Sequence, residues 1–126
     1  MRTKLYQELA ARTDAPMPKS YDSLGSIHML MGIVTEAGEL TDPFKKHLAY
    51  GKEIDMVNVK EEVGDLMWYI ANFCNINGFD LEEIMATNIA KLQTRYPDKF
   101  KPGDAINRDI TRERNLLEHR HFNPNG

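Results

Sequence analysis

Cysteine is nearly absent from this sequence, with Cys74 its only one. An internal disulfide is therefore excluded, which suits a reducing, cytoplasmic compartment. Long apolar runs are missing as well. No stretch approaches the ~20 apolar residues that a helix needs to cross a bilayer. Met1 to Ala15 alternates charged and apolar residues and lacks the apolar centre of a signal peptide. The expectation is a soluble chain without a membrane partner. Positive charge is in short supply: 16 Lys and Arg face 19 Asp and Glu, a net charge of −3. That balance argues against nucleic acid as a partner. Phosphate-loop chemistry is excluded too, because Gly51-Lys52 is followed by Glu53 and lacks the upstream glycine. Neither a Ser/His/Asp nor a Cys/His arrangement is present, and no repeat, low-complexity run or alternating strand pattern occurs.

What remains is helical spacing almost throughout. At 126 residues the chain reads as one domain, large enough to bury a core without covalent staples. Charge is unevenly spread. Residues 1–90 hold 8 basic and 14 acidic side chains, and residues 91–126 hold 8 basic and 5 acidic. An acidic body with a basic C-terminal segment suits a metal site facing an anionic ligand, or is ordinary surface scatter.

A first helix is predicted from Thr3 to Arg12, ended by the prolines of Asp14-Ala-Pro-Met-Pro. A second starts near Asp22 or Ser23, both good N-caps, with Ile27, Leu30, Val34 and Ala37 as its buried stripe. Thr41-Asp42-Pro43 predicts a break, since a proline suits the start of a new helix better than the interior of an old one. A short third helix then runs from Phe44 to Tyr50 and stops at Gly51. Asn58 with Glu61 reads as a capping box for the next helix, whose stripe is Val63, Leu66, Met67, Ile70, Phe73 and Cys74. Gly78 follows its end. Asp80 caps a helix over Leu81 to Arg95, which Pro97 stops. A charged helical stretch covers about Ala105 to His119. The fold class is all-α, a bundle of four or five helices.

Two short motifs carry the chemistry: Glu36-Ala-Gly-Glu39 and Glu62-Val-Gly-Asp65. Each projects two carboxylates at i and i+3 from one side of a helix. If the two helices pack antiparallel, four carboxylates converge, and their repulsion calls for divalent cations. Oxygen-only ligands favour hard ions such as Mg²⁺ or Mn²⁺. In a straight hairpin the motifs are not level. Glu39 lies about 18 Å before Gly51 and Glu62 about 6 Å after Asn58. A break at Pro43 would bring them level. His28, Gly32, Thr35, Glu36 and Glu39 share one helix face. Gly32 in a helix interior costs about 1 kcal/mol, and it either clears room for a ligand or allows close helix packing.

The pattern resembles the MazG-like and all-α dUTPase/dCTPase superfamily of nucleoside triphosphate pyrophosphohydrolases. The signature E-x-x-E, spacer, E-x-x-D is matched by Glu36 and Glu39, twenty-two residues, then Glu62 and Asp65. Lys45-Lys46 with Tyr50-Gly51-Lys52, and Asn88-x-x-Lys91-Leu92-x-x-Arg95-Tyr96-Pro97-x-x-Phe100, are similar to small phage and bacterial members. The likeness spans roughly residues 22–100 and extends in part to Asn107-Arg108-Asp109 and Glu113-Arg114, within residues 101–126, a charged helical extension of the single domain 1–126.

The resemblance implies conversion of a nucleoside triphosphate to the monophosphate and pyrophosphate. It implies Glu36, Glu39, Glu62 and Asp65 as catalytic ligands to two or three Mg²⁺ or Mn²⁺ ions. Asn88, Lys91 and Arg95 share one helix face and would contact phosphates, with Lys46 a further candidate; the alternative is a solvated basic face. Tyr69 and His28 are base or sugar candidates, or structural. The resemblance also implies a homodimer or a dimer of dimers in the cytosol, a base preference open from dUTP to dGTP, and a pool-cleansing or phage role. Two rival classes make different demands. A di-iron bundle needs Glu-x-x-His, which neither motif contains. A non-catalytic helical module with a degenerate acidic site predicts no Mg²⁺-dependent turnover.

Overall fold

The computed structural model describes residues 1–119, so the C-terminal end of the 101–126 extension lies outside the described residues. Those residues contain six helices and no strand: α1 (Thr3–Ala11), α2 (Leu24–Tyr50), α3 (Met56–Ile76), α4 (Leu81–Arg95), α5 (Pro102–Ile106) and α6 (Ile110–His119). The all-α expectation holds. The helix number exceeds the expected four or five because the last charged stretch divides at Asn107-Arg108-Asp109, where the Asp109 side chain accepts from Arg112 N at 3.0 Å and starts α6 afresh. The chain forms two compact units, one of Met1–Phe79 and one beginning at Asp80. The first holds α1 to α3 and the second α4 to α6.

The predicted break at Pro43 does not occur. Helix α2 runs unbroken for 27 residues with Pro43 inside it. A mid-helix proline removes one backbone hydrogen bond and crowds the carbonyl four residues back, here that of Glu39. Local contacts offset part of this. Thr41 Oγ1 donates to the Ala37 carbonyl at 2.7 Å, and Asp42 pairs with Lys46 at 2.7 Å across one turn. Gly51, at φ 67°, then ends the helix in the left-handed conformation that glycine tolerates best.

The carboxylate motifs become level by another route. Residues 52–55 carry no regular secondary structure and run back along α2. His47 Nδ1 donates to the Lys52 carbonyl at 2.8 Å, and Asp42, Lys46, Asp55 and Asn58 line one cleft. A five-residue segment can span up to about 17 Å, whereas the eight residues from Asp42 to Tyr50 rise only about 12 Å. Helix α3 therefore begins beside Asp42 rather than beside Tyr50. Its N-cap is Asp55, which accepts from Val57 N and Asn58 N, so the capping box expected at Asn58 is displaced by three residues.

The buried stripe predicted for α2 is also corrected. Ser26, Met29 and Gly32 are buried, whereas Ile27 and Leu30 are each 46 % exposed and Val34 is 71 % exposed. The face that meets α3 includes Gly32, whose missing β-carbon leaves room for the Tyr69 ring. The fully buried Met29 contributes about 1.5–3 kcal/mol to the core. Helix α1 is tied to α3 by amides. Gln7 Nε2 donates to Asn75 Oδ1 (3.1 Å) and to the Phe79 carbonyl (3.0 Å). Asn75 Nδ2 donates to the Gln7 carbonyl (2.9 Å), and the buried Asn72 donates to the Ala10 carbonyl (3.1 Å). In the second unit, Asp80 caps α4 as expected, accepting from Glu82 N and Glu83 N.

Candidate active site

The α2–α3 hairpin has a fixed antiparallel register. Gly32 faces Tyr69, and Asp42 shares a cleft with Asn58. The same register sets Glu36 opposite Asp65 and Glu39 opposite Glu62. Within it, Glu36, Glu62 and Asp65 each present a carboxylate oxygen, and these oxygens all lie within 4.8 Å of one another. Glu39 is not in that group. It lies one turn further along α2, exposed, where its charge and that of Asp42 both help to raise the pKa of Lys46.

The trio is poorly compensated by the protein itself. Glu62 Oε2 is buried without a hydrogen-bond partner. The Glu62 carboxyl is pushed above its ordinary range by a hydrogen bond with Glu36, then by burial, then by the charges of Glu36 and Asp65. Three carboxylates crowded together in this way repel one another, and a bound cation would relieve that repulsion. A hard divalent ion fits this donor set. Glu36, Glu62 and Asp65 would hold such an ion through oxygen atoms alone, the donor type that hard divalent cations take.

Gly32, left open between ligand room and close packing, is settled by Tyr69, whose ring fills the space that a β-carbon at Gly32 would need. Tyr69 is one turn beyond Asp65 and makes edge-to-face contacts with His28 (centroids 5.9 Å) and Trp68 (4.9 Å). Trp68 Nε1 in turn donates to Thr13 Oγ1 at 2.8 Å. His28 Nδ1 is buried and unpartnered. The structure thus brings both base or sugar candidates into contact, beside the carboxylates. One neighbour escaped sequence reasoning. Tyr6 of α1 donates to the Gly64 carbonyl at 3.4 Å, and burial and the Asp65 charge raise its pKa. No motif marks it, since only the packing of α1 brings it there.

The remaining candidates divide between the units. Lys46 is held by Asp42. In the second unit Asn88 is exposed and Lys91 half-buried. Arg95 is engaged within its own unit: its Nε and Nη2 donate to Glu113 at 2.9 and 3.2 Å. Arg108 donates to the same carboxylate. Glu113 falls in a region that the resemblance touches but was given no role, because the seventeen intervening residues give no periodic signal that it meets Arg95.

Comparison with known proteins accords with this geometry. Residues 25–100 match the MazG nucleotide pyrophosphohydrolase domain. The chain is also 33 % identical over 117 residues to the Gene 37 protein of Mycobacterium phage L5, covering 86 % of this chain and all of that one. No solved structure matches it. With the family signature lying on two helices that bring three of its four carboxylates together, this chain belongs to the MazG nucleotide pyrophosphohydrolase family.

Proposed function

We propose that the chain hydrolyses a nucleoside triphosphate to the monophosphate and pyrophosphate, using two or three Mg²⁺ or Mn²⁺ ions. The observation that carries this is the acidic trio, with its unpartnered Glu62 oxygen, in a chain of this family. Glu36, Glu62 and Asp65 would hold metal. When bound, such ions stabilise charge on the phosphoryl oxygens and the leaving pyrophosphate, and acidify the attacking water. Glu39, exposed and one turn away, is left to hold a further ion or to take the proton of that water. Asn88, Lys91, Arg95 and Lys46 supply phosphate contacts. Tyr69 and His28 border the sugar and base.

The same reading puts the reaction in the cytoplasm. Among the described residues no helix is long and apolar enough to cross a membrane. Membership of the pyrophosphohydrolase family supports a role in cleansing or remodelling a nucleotide pool, and dGTP or another purine is among the candidate substrates. The active form is a homodimer or tetramer. Among the described residues, Ile27, Leu30, Met31 and Val34 form an apolar face of α2 that is left exposed.

The test is direct. The full chain is incubated with each ribo- and deoxyribonucleoside triphosphate and Mg²⁺, and monophosphate and pyrophosphate are measured. Folded protein that releases neither is the non-catalytic helical module instead. Full activity in Glu39→Gln would remove Glu39 from the metal and proton-transfer assignment.

A further inference from the structure

The second unit contains a charge arrangement that the carboxylate site does not explain. Glu113 is 2 % exposed. Its two oxygens accept four N–H groups, two from Arg95 and two from Arg108. One guanidinium would neutralise this carboxylate. The second leaves the trio with a net charge of one positive unit. Each guanidinium has five N–H donors, so each keeps three that do not point at Glu113. The Arg108 side chain is 40 % exposed and that of Arg95 17 %. Lys91 lies one helical turn before Arg95 on the same face of α4.

We propose that Arg108 and Arg95 form a polyphosphate-binding pair, and that Glu113 is the positioning residue that sets both guanidinium planes. The proposal rests on the nucleotide reading only in that Arg95 is one of its phosphate contacts. Arg108 and Glu113 are new to it. A carboxylate gripped along the Nε edge of a guanidinium leaves its Nη1 side unused by Glu113, and that side can take a phosphate bidentately; on Arg95 the Tyr96 ring lies against the same guanidinium, its centroid 5.9 Å from Cζ, so Arg108 is the more open of the two. Hydrogen bonds from Arg95 and then Arg108 outweigh burial and hold the Glu113 carboxyl at about 2, so it stays ionised and keeps its hold at any physiological pH.

Charge and positioning predict opposite results, and this separates them. The full chain, free of divalent metal, is titrated calorimetrically with inorganic tripolyphosphate, with pyrophosphate, and with an unphosphorylated nucleoside. Saturable binding of the two polyphosphates and none of the nucleoside is expected. Glu113→Gln adds one positive unit, so a simple charge effect would tighten binding; positioning weakens it, by about tenfold. Arg108→Lys keeps the charge and loses the fork, and is expected to weaken binding by about tenfold as well. Circular dichroism and melting check each variant, and if Glu113→Gln does not fold, Arg108→Lys decides alone. Unchanged binding in Arg108→Lys, or tighter binding in Glu113→Gln, overturns the proposal.

Kinetics distinguishes its failure from that of the hydrolase reading. Arg108→Lys is expected to raise KM for the triphosphate with kcat little changed. Turnover with an unaltered KM sinks the arginine pair and leaves the hydrolase standing. Arg108-dependent tripolyphosphate binding without any turnover does the reverse.

Discussion

The ring of Tyr69 lies in the space that a β-carbon at Gly32 would occupy. Glycine at this point of α2 is thus a packing requirement of the helix pair that carries the acidic trio. Gly32→Ala sets a helix-propensity gain of about 1 kcal/mol against an overpacking cost of about 1–3 kcal/mol. The ring is held on two sides by His28 and Trp68, so the cost should win. Urea denaturation is expected to show net destabilisation, and that penalty should vanish in a Tyr69→Ala background.

Glu62 provides a prediction whose stability and activity arms run in opposite directions. Its folded carboxyl titrates above the ordinary 4.5. A raised carboxyl costs the fold stability once pH exceeds both values, and costs nothing when it is protonated in both states. Glu62→Gln should therefore melt higher than the wild type in chelator at pH 8, with the gap shrinking towards pH 4. Added Mg²⁺ should raise the wild-type melting temperature more than the variant's, while turnover in the variant falls more than about 100-fold.

Glu113 has the opposite sign. Its carboxyl is held at about 2 against an ordinary 4.5, by hydrogen bonds from Arg95 and then Arg108. Its contribution to stability is complete above about 4.5 and is lost as pH falls towards 2. Melting curves of wild type and Glu113→Gln should be well separated at pH 6 and converge across that acid window.

Pro43 sits in the interior of a 27-residue helix. Pro43→Ala restores the hydrogen bond to the Glu39 carbonyl, and the gain outweighs the greater freedom it gives the unfolded chain. Chemical denaturation should show stabilisation of about 1–2 kcal/mol.

The exposed face of α2 tests assembly. Wild-type protein should scatter light as a dimer or larger. Leu30→Glu with Val34→Glu places two charges on residues that are 46 % and 71 % exposed in the single chain, so it should yield a folded monomer. A wild type that is already monomeric would defeat the assembly proposal.

Much of this was legible in the residues. Ser23, Gly51, Gly78 and Asp80 act through bonds to their own neighbours, so their capping roles follow from local chemistry. The carboxylate pairs at i and i+3 were equally legible, because helix geometry alone aligns them. Pro43 was misleading for a related reason. Its penalty is local and real, but local bonds of Thr41 and Asp42 offset part of it, and the segment returning along α2 adds contacts that no short stretch displays.

The tertiary structure decided which helix faces meet and how far each helix slides along the next. The apolar stripe of Ile27, Leu30 and Val34 predicted one buried face of α2. Close approach through Ser26 and Gly32 selected another, and that choice put Glu36 against Glu62 and Asp65 while leaving Glu39 outside. The meeting of Glu113 with Arg95 and Arg108 is likewise a product of chain return. Caps and periodicity depend on residues three or four apart, which the sequence displays. Register and long-range ion pairs depend on the balance of packing over whole helices, which no short stretch of sequence contains.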